Sequence, residues 1–82
     1  MAYEVTFAEQ AARELASIPP DARTSLAAVL DRIAADLWQG DRYGPRYPPD
    51  MRTATFGDWG LIVYLIRSRA RQIAVLDLTW AK

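Results

Sequence analysis

The side chains of this sequence that could act on a substrate are mainly arginines and tyrosines. Histidine and cysteine are absent, which removes the usual general base and the commonest zinc ligands. Arginine and tyrosine are concentrated in the segment 40–50, where Arg42, Tyr43, Arg46 and Tyr47 lie among three prolines and two glycines. Such a segment is predicted to be irregular. Its side chains suit a nucleic-acid strand, with arginine on phosphates and tyrosine stacked on bases. Alternatively, they pack a long connection onto the domain.

Length and composition predict one domain with a single core. The chain has 82 residues, of which 51% are hydrophobic, and a chain of this size buries about 60% of its unfolded surface. The absence of cysteine fits a reducing compartment. No apolar run reaches the roughly 18 residues of a membrane helix, and the N-terminus lacks the pattern of a signal peptide. We therefore expect a cytoplasmic protein without membrane contact.

Charge is distributed unevenly along the chain, although the net charge is zero. Residues 1–39 carry three arginines against six acidic residues, whereas residues 40–82 carry six arginines and Lys82 against four acidic residues. A basic half can face an anionic partner. Ordinary surface solvation is the alternative, because a domain that depends on phosphate contacts is usually more basic.

Hydrophobic periodicity predicts a strand followed by two helices. Residues 3–7 alternate apolar and polar, as a half-buried strand does. A first helix follows and ends at Pro19-Pro20, where proline also suits the first turn of the next helix. The second helix carries an apolar stripe on one side, and Gly40 is expected to close it. The stripe consists of Leu26, Val29, Leu30, Ile33, Ala34 and Leu37.

Three further strands are predicted in the last third of the chain. Residues 51–56 stop at a Gly57-Asp58 turn, residues 61–66 are a run of apolar types typical of a buried strand, and residues 72–80 form the last strand. Strict alternation predicts that Ala74, Leu76, Leu78 and Trp80 share one face of that strand, and that Ile73, Val75, Asp77 and Thr79 share the other. The helices are expected to cover one face of the sheet, because neither apolar surface can be buried alone.

This order of elements resembles the RelE/ParE family of bacterial toxins. The similar motifs are Ile18-Pro19, Met51-Arg52, Gly57-Asp58, Tyr64 and Val75-Leu76-Asp77-Leu78. The resemblance spans nearly the whole chain as one domain, residues 1–82. It implies an α+β fold of order β-α-α-β-β-β, with a two-helix hairpin on one face of a twisted, mostly antiparallel four-stranded sheet.

The resemblance also implies a function and partners. It implies the toxin component of a type II toxin–antitoxin system, from the branch that inhibits translation by ribosome-dependent mRNA cleavage. The expected partners are a cognate antitoxin, the ribosome and mRNA, with no cofactor and no metal. A non-catalytic binding module is the alternative, either a ParE-like inhibitor of DNA gyrase or a degenerate toxin that binds only its antitoxin. An unrelated small α+β domain is a third possibility.

The catalytic residues implied by the resemblance are Arg52, Tyr64 and Lys82. Metal-independent RNA cleavage requires the 2′-hydroxyl to lose a proton, the pentavalent phosphate to be stabilised and the leaving 5′-oxygen to be protonated. Arg52 matches a family position that could hold a phosphate. Tyr64 offers a phenol or a stacking face, or else is a core aromatic residue. Lys82 follows the family's final cation by one position.

Other cations of that family are missing from this chain. Thr53 and Thr55 stand where many relatives carry arginine. The family's aromatic–arginine pair falls on residues 59–61, where Gly60 is an extra residue expected to form a bulge or an altered turn. The final cation falls on Ala81. We therefore expect RNA cleavage to be weak or absent.

Seven residues are predicted to bind RNA or a partner protein. Trp59 and Trp80 lie beside a turn and at a strand end, where full burial is difficult, and aromatic residues are favoured anchors at interfaces. The other five are arginines. Arg42 and Arg46 belong to the irregular segment, and Arg67, Arg69 and Arg71 belong to a polar turn, where they are either solvated or part of a basic rim.

Overall fold

A five-stranded sheet carries two helices on one face in the computed structural model, which describes residues 3–81. The elements are β1 (Glu4–Phe7), α1 (Glu9–Ser17), α2 (Pro20–Ala35), β2 (Asp41–Arg42), β3 (Met51–Phe56), β4 (Gly60–Arg67) and β5 (Gln72–Trp80). The strand order is β1-β5-β4-β3-β2. Strand β1 is parallel to β5, and the other neighbours are antiparallel. The predicted α+β fold is confirmed, with five strands instead of four.

The additional strand, β2, comes from the segment that was predicted to be irregular. Its two residues, Asp41 and Arg42, lie antiparallel to Thr53 and Arg52 of β3. The rest of the segment 40–50 consists mainly of turns and bends, as its three prolines require. The prediction was therefore wrong at the start of the segment, where a short stretch continues the sheet.

Two prolines and one arginine form the corner between the helices. Pro19 is extended (φ −61°, ψ 156°) and Pro20 begins α2, where its missing N–H costs no helical hydrogen bond. The Arg23 side chain turns back to α1, donating from Nε to the Ile18 carbonyl at 3.1 Å and from Nη2 to the Ala16 carbonyl at 3.2 Å. These bonds satisfy carbonyl groups that the end of α1 leaves without helical partners.

Helix α2 ends at Ala35, so the prediction that Gly40 closes it was wrong. The chain leaves the helix in an extended conformation, and Leu37 still packs against the core. Gly40 meets a different requirement. A methyl group at this position would lie 2.5 Å from both the Tyr64 hydroxyl and the Thr53 carbonyl. Glycine is therefore needed for the close approach of this segment to the sheet.

The core lies between the helices and the sheet, as predicted from the two apolar patterns. Helix α2 contributes Leu26, Val29, Leu30 and Ile33, all buried. The sheet contributes Phe56, Ile62, Tyr64, Ile66, Ile73, Val75 and Leu78. Among residues 3–81, neither helix has the length and apolar character needed to cross a membrane.

A β-bulge interrupts the pairing of β4 with β5. Tyr64 lies opposite Val75, whereas the preceding residue, Val63, lies opposite Asp77. Leu76 is therefore an extra residue on β5. An extra residue shifts the alternation of all the side chains that follow it.

The bulge overturns the predicted alternation along β5. Ile73 and Val75 face the core before the bulge, and Leu78 and Trp80 face it afterwards. As predicted, the members of each pair share a face. The prediction was wrong in placing the two pairs on opposite faces of the strand. The bulge also lies in β5 and not at Gly60, which is regularly paired on both sides.

Gly60 allows two aromatic rings to meet across the central strand. It lies between Phe56 of β3 and Trp80 of β5. The two rings stack with centroids 5.8 Å apart and planes 24° apart. A methyl group on Gly60 would overlap the ring of Phe56, which is only 1% exposed. The glycine is therefore required by packing.

Gly60→Ala is expected to lower the free energy of unfolding by about 1–3 kcal/mol, the usual cost of overpacking a core. Urea denaturation of the two proteins measures this loss. The same substitution in a Phe56→Ala background is the matched control. There the cost of the added methyl should largely disappear, because the ring that it meets is gone. An equal cost in both backgrounds would show that the backbone, and not the ring, requires glycine.

Candidate functional site

The face of the sheet opposite the helices, here called the open face, is mainly apolar. Side chains alternate between faces along a strand, so this face carries the residues between the core positions. Strands β3 and β4 contribute the directly opposed pairs Met51–Leu65, Thr53–Val63 and Thr55–Leu61. Strand β5 adds Ala74, opposite Leu65.

Most of the positions that the family resemblance gives to cations lie at one end of the sheet. Thr55 is directly opposite Leu61, and Thr53 lies on the same side of β3, two residues further from this end. The Ala81 N–H donates to the Trp59 carbonyl at 3.0 Å, so the chain after β5 returns to the same region. The residues at these positions are threonine, leucine and alanine, which supply no positive charge for a phosphate.

We call this region, residues 55–61 and 79–81, the tryptophan end. Trp59 is 53% exposed and Leu61 is 40% exposed. Trp80 is partly buried, since its ring stacks inside the domain. Of the two predicted tryptophan anchors, Trp59 is therefore the more accessible to a partner.

Arg52 has contacts that hold a loop. Its Nε donates to the Pro49 carbonyl at 3.0 Å and its Nη1 donates to the Gly40 carbonyl at 2.9 Å. The guanidinium carbon also lies 4.9 Å from the centroid of the Trp38 ring, a cation–π distance. The side chain thus joins both ends of the segment 40–50 to β3.

Tyr64 lies directly opposite Arg52 and is fully buried. Its hydroxyl donates to the Leu37 carbonyl at 3.1 Å. Burial raises the pKa of Tyr64, an effect partly offset by the backbone hydrogen bond from Gly40 and by the charge of Arg52. The phenol is thus a protonated donor that fixes the chain after α2. These are the contacts of a core aromatic residue, the alternative interpretation of this position.

Two of the residues implied to be catalytic, Arg52 and Tyr64, lie away from the positions of the missing cations. Arg52 and Tyr64 are on the helix side of the sheet, whereas Thr53 and Thr55 are on the open face. Lys82 lies outside the described residues. A phosphate at the tryptophan end would therefore be separated from Arg52 and Tyr64 by the sheet.

The five arginines predicted to bind RNA or a partner lie at the opposite end of the sheet. All of them are exposed: Arg42, Arg46, Arg67, Arg69 and Arg71. The two connections that carry them are adjacent, because the Ile66 N–H donates to the Asp50 carbonyl at 2.9 Å. The sequence did not predict this proximity, which depends on the register of β3 with β4.

Three exposed aromatic residues accompany this region. Trp38, Tyr43 and Tyr47 are between 41% and 47% exposed. The prolines and glycines around the tyrosines were a usable signal, since a segment without regular structure has few means of burying large rings. Within residues 3–81, no three acidic side chains come together in a way that could hold a metal ion.

The comparisons with known proteins identify the fold. No protein-family model matches the sequence, and no curated protein matches it. Solved structures do match. The Escherichia coli RelBE toxin–antitoxin complex contains a chain that matches with a TM-score of 0.84 at 18% identity, over 99% of both chains. The RelBE2 toxin–antitoxin complex of Mycobacterium tuberculosis matches with a TM-score of 0.72 at 23% identity, over 98% of this chain and 99% of that one.

An archaeal complex extends the comparison. The RelE–RelB complex of Pyrococcus horikoshii matches with a TM-score of 0.70 at 19% identity, over 98% of this chain and 96% of that one. A two-helix hairpin on a mostly antiparallel sheet is thus shared across bacteria and archaea. This chain has the fold of the RelE toxins, and the resemblance seen in the sequence is confirmed at the level of the fold. An unrelated α+β fold is excluded.

Tyr64→Phe is expected to reduce stability and to remove part of its pH dependence. Losing the hydroxyl leaves the Leu37 carbonyl without that donor, at a cost of about 1–3 kcal/mol. Because the folded-state pKa is raised, the contribution of Tyr64 is fully present below the unfolded value of about 10 and is lost as the pH rises toward the folded value.

Urea denaturation at pH 8 and pH 11 measures both effects. Wild type should lose more stability than Tyr64→Phe between these pH values, since the unfolded tyrosine ionises and the folded one resists ionisation. Tyr43→Phe, at an exposed ring, is the control and should keep the stability of wild type at pH 8. Equal pH dependence in wild type and Tyr64→Phe would contradict the assignment.

Proposed function

We propose that this protein is the toxin component of a type II toxin–antitoxin pair of the RelE kind, which acts in the cytoplasm and is held by a cognate antitoxin. The observation that carries the proposal is the match of fold over 99% of both chains with a TM-score of 0.84. Fold alone does not determine function. The proposal is therefore supported further by the surface of the domain.

The tryptophan end is suited to a protein partner. Trp59 and Leu61 place two large apolar side chains in water, 53% and 40% exposed, beside the apolar open face. Apolar surface of this kind is typical of interaction sites, and tryptophan is among the residues that contribute most to binding energy. An antitoxin segment laid across this end would remove both side chains from water.

Trp59→Ala is expected to weaken antitoxin binding about 30-fold, which corresponds to the roughly 2 kcal/mol of a binding hot spot. The adjacent reading frame supplies the candidate antitoxin, and titration calorimetry of the purified pair measures the affinity. Trp38→Ala is the matched control, because Trp38 is 47% exposed but lies beside Arg52 and away from the tryptophan end. Loss of binding in Trp38→Ala but not in Trp59→Ala would place the antitoxin interface near Trp38 and not at the tryptophan end. Absence of any complex with the neighbouring product would contradict the antitoxin proposal.

The toxin is proposed to derive from the branch that cleaves ribosome-bound mRNA, with weak cleavage in this chain. Two features of the structure support the weak cleavage. The positions for cations on the open face carry Thr53, Thr55 and Leu61, and the retained Arg52 and Tyr64 are occupied with the fold on the other side of the sheet. Without a metal, cations must stabilise the charge of the pentavalent phosphate. Removing one such donor costs about 100- to 1,000-fold in rate.

Expression of the chain without its neighbour is expected to give little codon-specific cleavage when mRNA ends are mapped during translation. Leu61→Arg combined with Ala81→Arg should increase cleavage, because both changes place a cation at the tryptophan end. Arg13→Lys is the control, since it keeps a charge on the exposed surface of α1. Strong cleavage by wild type that disappears in Arg52→Lys would contradict the proposal and make Arg52 catalytic. Growth arrest without cleavage would favour a contact inhibitor, and inhibition of purified DNA gyrase would then test the ParE-like alternative.

A further inference from the structure

The fold gathers two groups of arginines that are separate in the sequence. Strand β3 begins where β4 ends, with Met51 opposite Leu65, and the Asp50 carbonyl accepts from the Ile66 N–H at 2.9 Å. The segment before β3 and the turn after β4 therefore lie side by side. We call the resulting surface the arginine end. Its basic residues are Arg42, Arg46, Arg67, Arg69 and Arg71.

The charges of the arginine end are available to a ligand. All five arginines are exposed, and within residues 3–81 none of them forms a salt bridge. Arg42 donates from Nη2 to the Tyr47 carbonyl at 3.0 Å, which neutralises no charge. The carboxylates of this region are Glu4, Asp41 and Asp50, so positive charge remains in excess. A concentration of unpaired cations attracts an anionic partner.

Arg71 gives independent support. Its φ of 53° lies in the left-handed region, where a residue with a Cβ is disfavoured and glycine is not. This turn therefore carries arginine at a position whose backbone favours glycine. The Arg71 carbonyl accepts from the Glu4 N–H at 2.9 Å, a bond that glycine could make equally well. The local structure does not need the arginine side chain.

Two tyrosines add flat apolar surface beside these charges. Tyr43 and Tyr47 are 41% and 46% exposed. Their rings meet edge to face at 4.6 Å with planes 77° apart, so each ring supports the orientation of the other. An exposed ring held in place is a stacking platform for a nucleic-acid base. An open cavity of about 490 Å³ lies next to this region, lined by Arg67 and Arg69 together with Asp50.

We propose that the arginine end binds single-stranded RNA, with phosphates on the arginines and a base stacked on the tyrosine pair. Acidic peptides also bind arginine, but they have no need of an oriented aromatic face. The tryptophan end lies at the opposite end of the sheet, so RNA and an antitoxin have separate surfaces. The inference deepens the proposed function, since it gives a toxin with few cations on its open face a means of holding RNA. It is tested without the antitoxin.

Fluorescence anisotropy of a labelled ten-nucleotide single-stranded RNA, titrated with the purified full chain, tests the proposal. Binding should weaken as salt rises from 50 to 200 mM, because arginines that contact phosphates release counterions. Arg46→Ala with Arg69→Ala should weaken binding at least tenfold and reduce the slope of log K against log salt by about 1.4, the value for two phosphate contacts on a single strand. Neither of these arginine side chains donates a hydrogen bond within residues 3–81, so the double variant should fold.

Two further variants separate stacking from general charge. Tyr47→Ala should weaken binding about tenfold, as expected for the loss of base stacking, with the salt slope unchanged. Arg13→Ala removes an exposed arginine that is paired with Glu9 on α1, and it should leave binding unchanged.

Several results would overturn the proposal: no binding at 50 mM salt, equal weakening by Arg13→Ala, or tighter binding of a glutamate-rich peptide than of RNA. Failure of this inference is distinguishable from failure of the proposed function. Absence of RNA binding by a wild-type chain that binds its antitoxin rejects the inference alone. RNA binding by a wild-type chain that binds no antitoxin rejects the antitoxin partner alone.

Discussion

Two neighbouring side chains on the helix side of the sheet hold the long segment between α2 and β3 in place. The buried Tyr64 hydroxyl binds the Leu37 carbonyl, and Arg52 binds the carbonyls of Gly40 and Pro49. These bonds fix both ends of a segment that its prolines exclude from regular structure. Strand β2 and the exposed tyrosines depend on that attachment. Arg52 and Tyr64, which match positions of the resembled family, thus support this segment.

The bulge in β5 reconciles two requirements of the same strand. Its first half must present Ile73 and Val75 to the helices, and its second half must present Leu78. One extra residue, Leu76, changes the parity between them. The Asp77 carboxylate accepts from the Leu78 N–H at 2.9 Å, which gives this carboxylate a structural role. Asp77 is only partly buried at the bulge, and no polar side chain among residues 3–81 is buried in the core.

Local patterns in the sequence predicted the elements but not the details that tertiary contacts decide. The apolar stripe of α2 is a strong periodic signal, and the continuous apolar run of β4 is typical of a buried strand. Both predictions are confirmed. The end of α2, strand β2 and the bulge were not, because each depends on a distant partner such as Tyr64 or Val63. The same distinction applies to the site. The exposure of Trp59 could be predicted from its place beside a turn. The face of the sheet on which Arg52 lies, and the proximity of the two connections that carry the arginines, depend on the register of the strands and could not be predicted.

The parallel pairing of β1 with β5 has a consequence for the order of events during synthesis. Glu4 lies opposite Gln72, and their side chains are joined across 68 positions of sequence. Strand β1 must therefore wait for β5 before it can enter the sheet, and contacts of such long range are slow to form. A nascent chain that lacks β5 has no strand to join β1 to β4. Any surface that depends on the complete sheet therefore forms only after β5 has been synthesised.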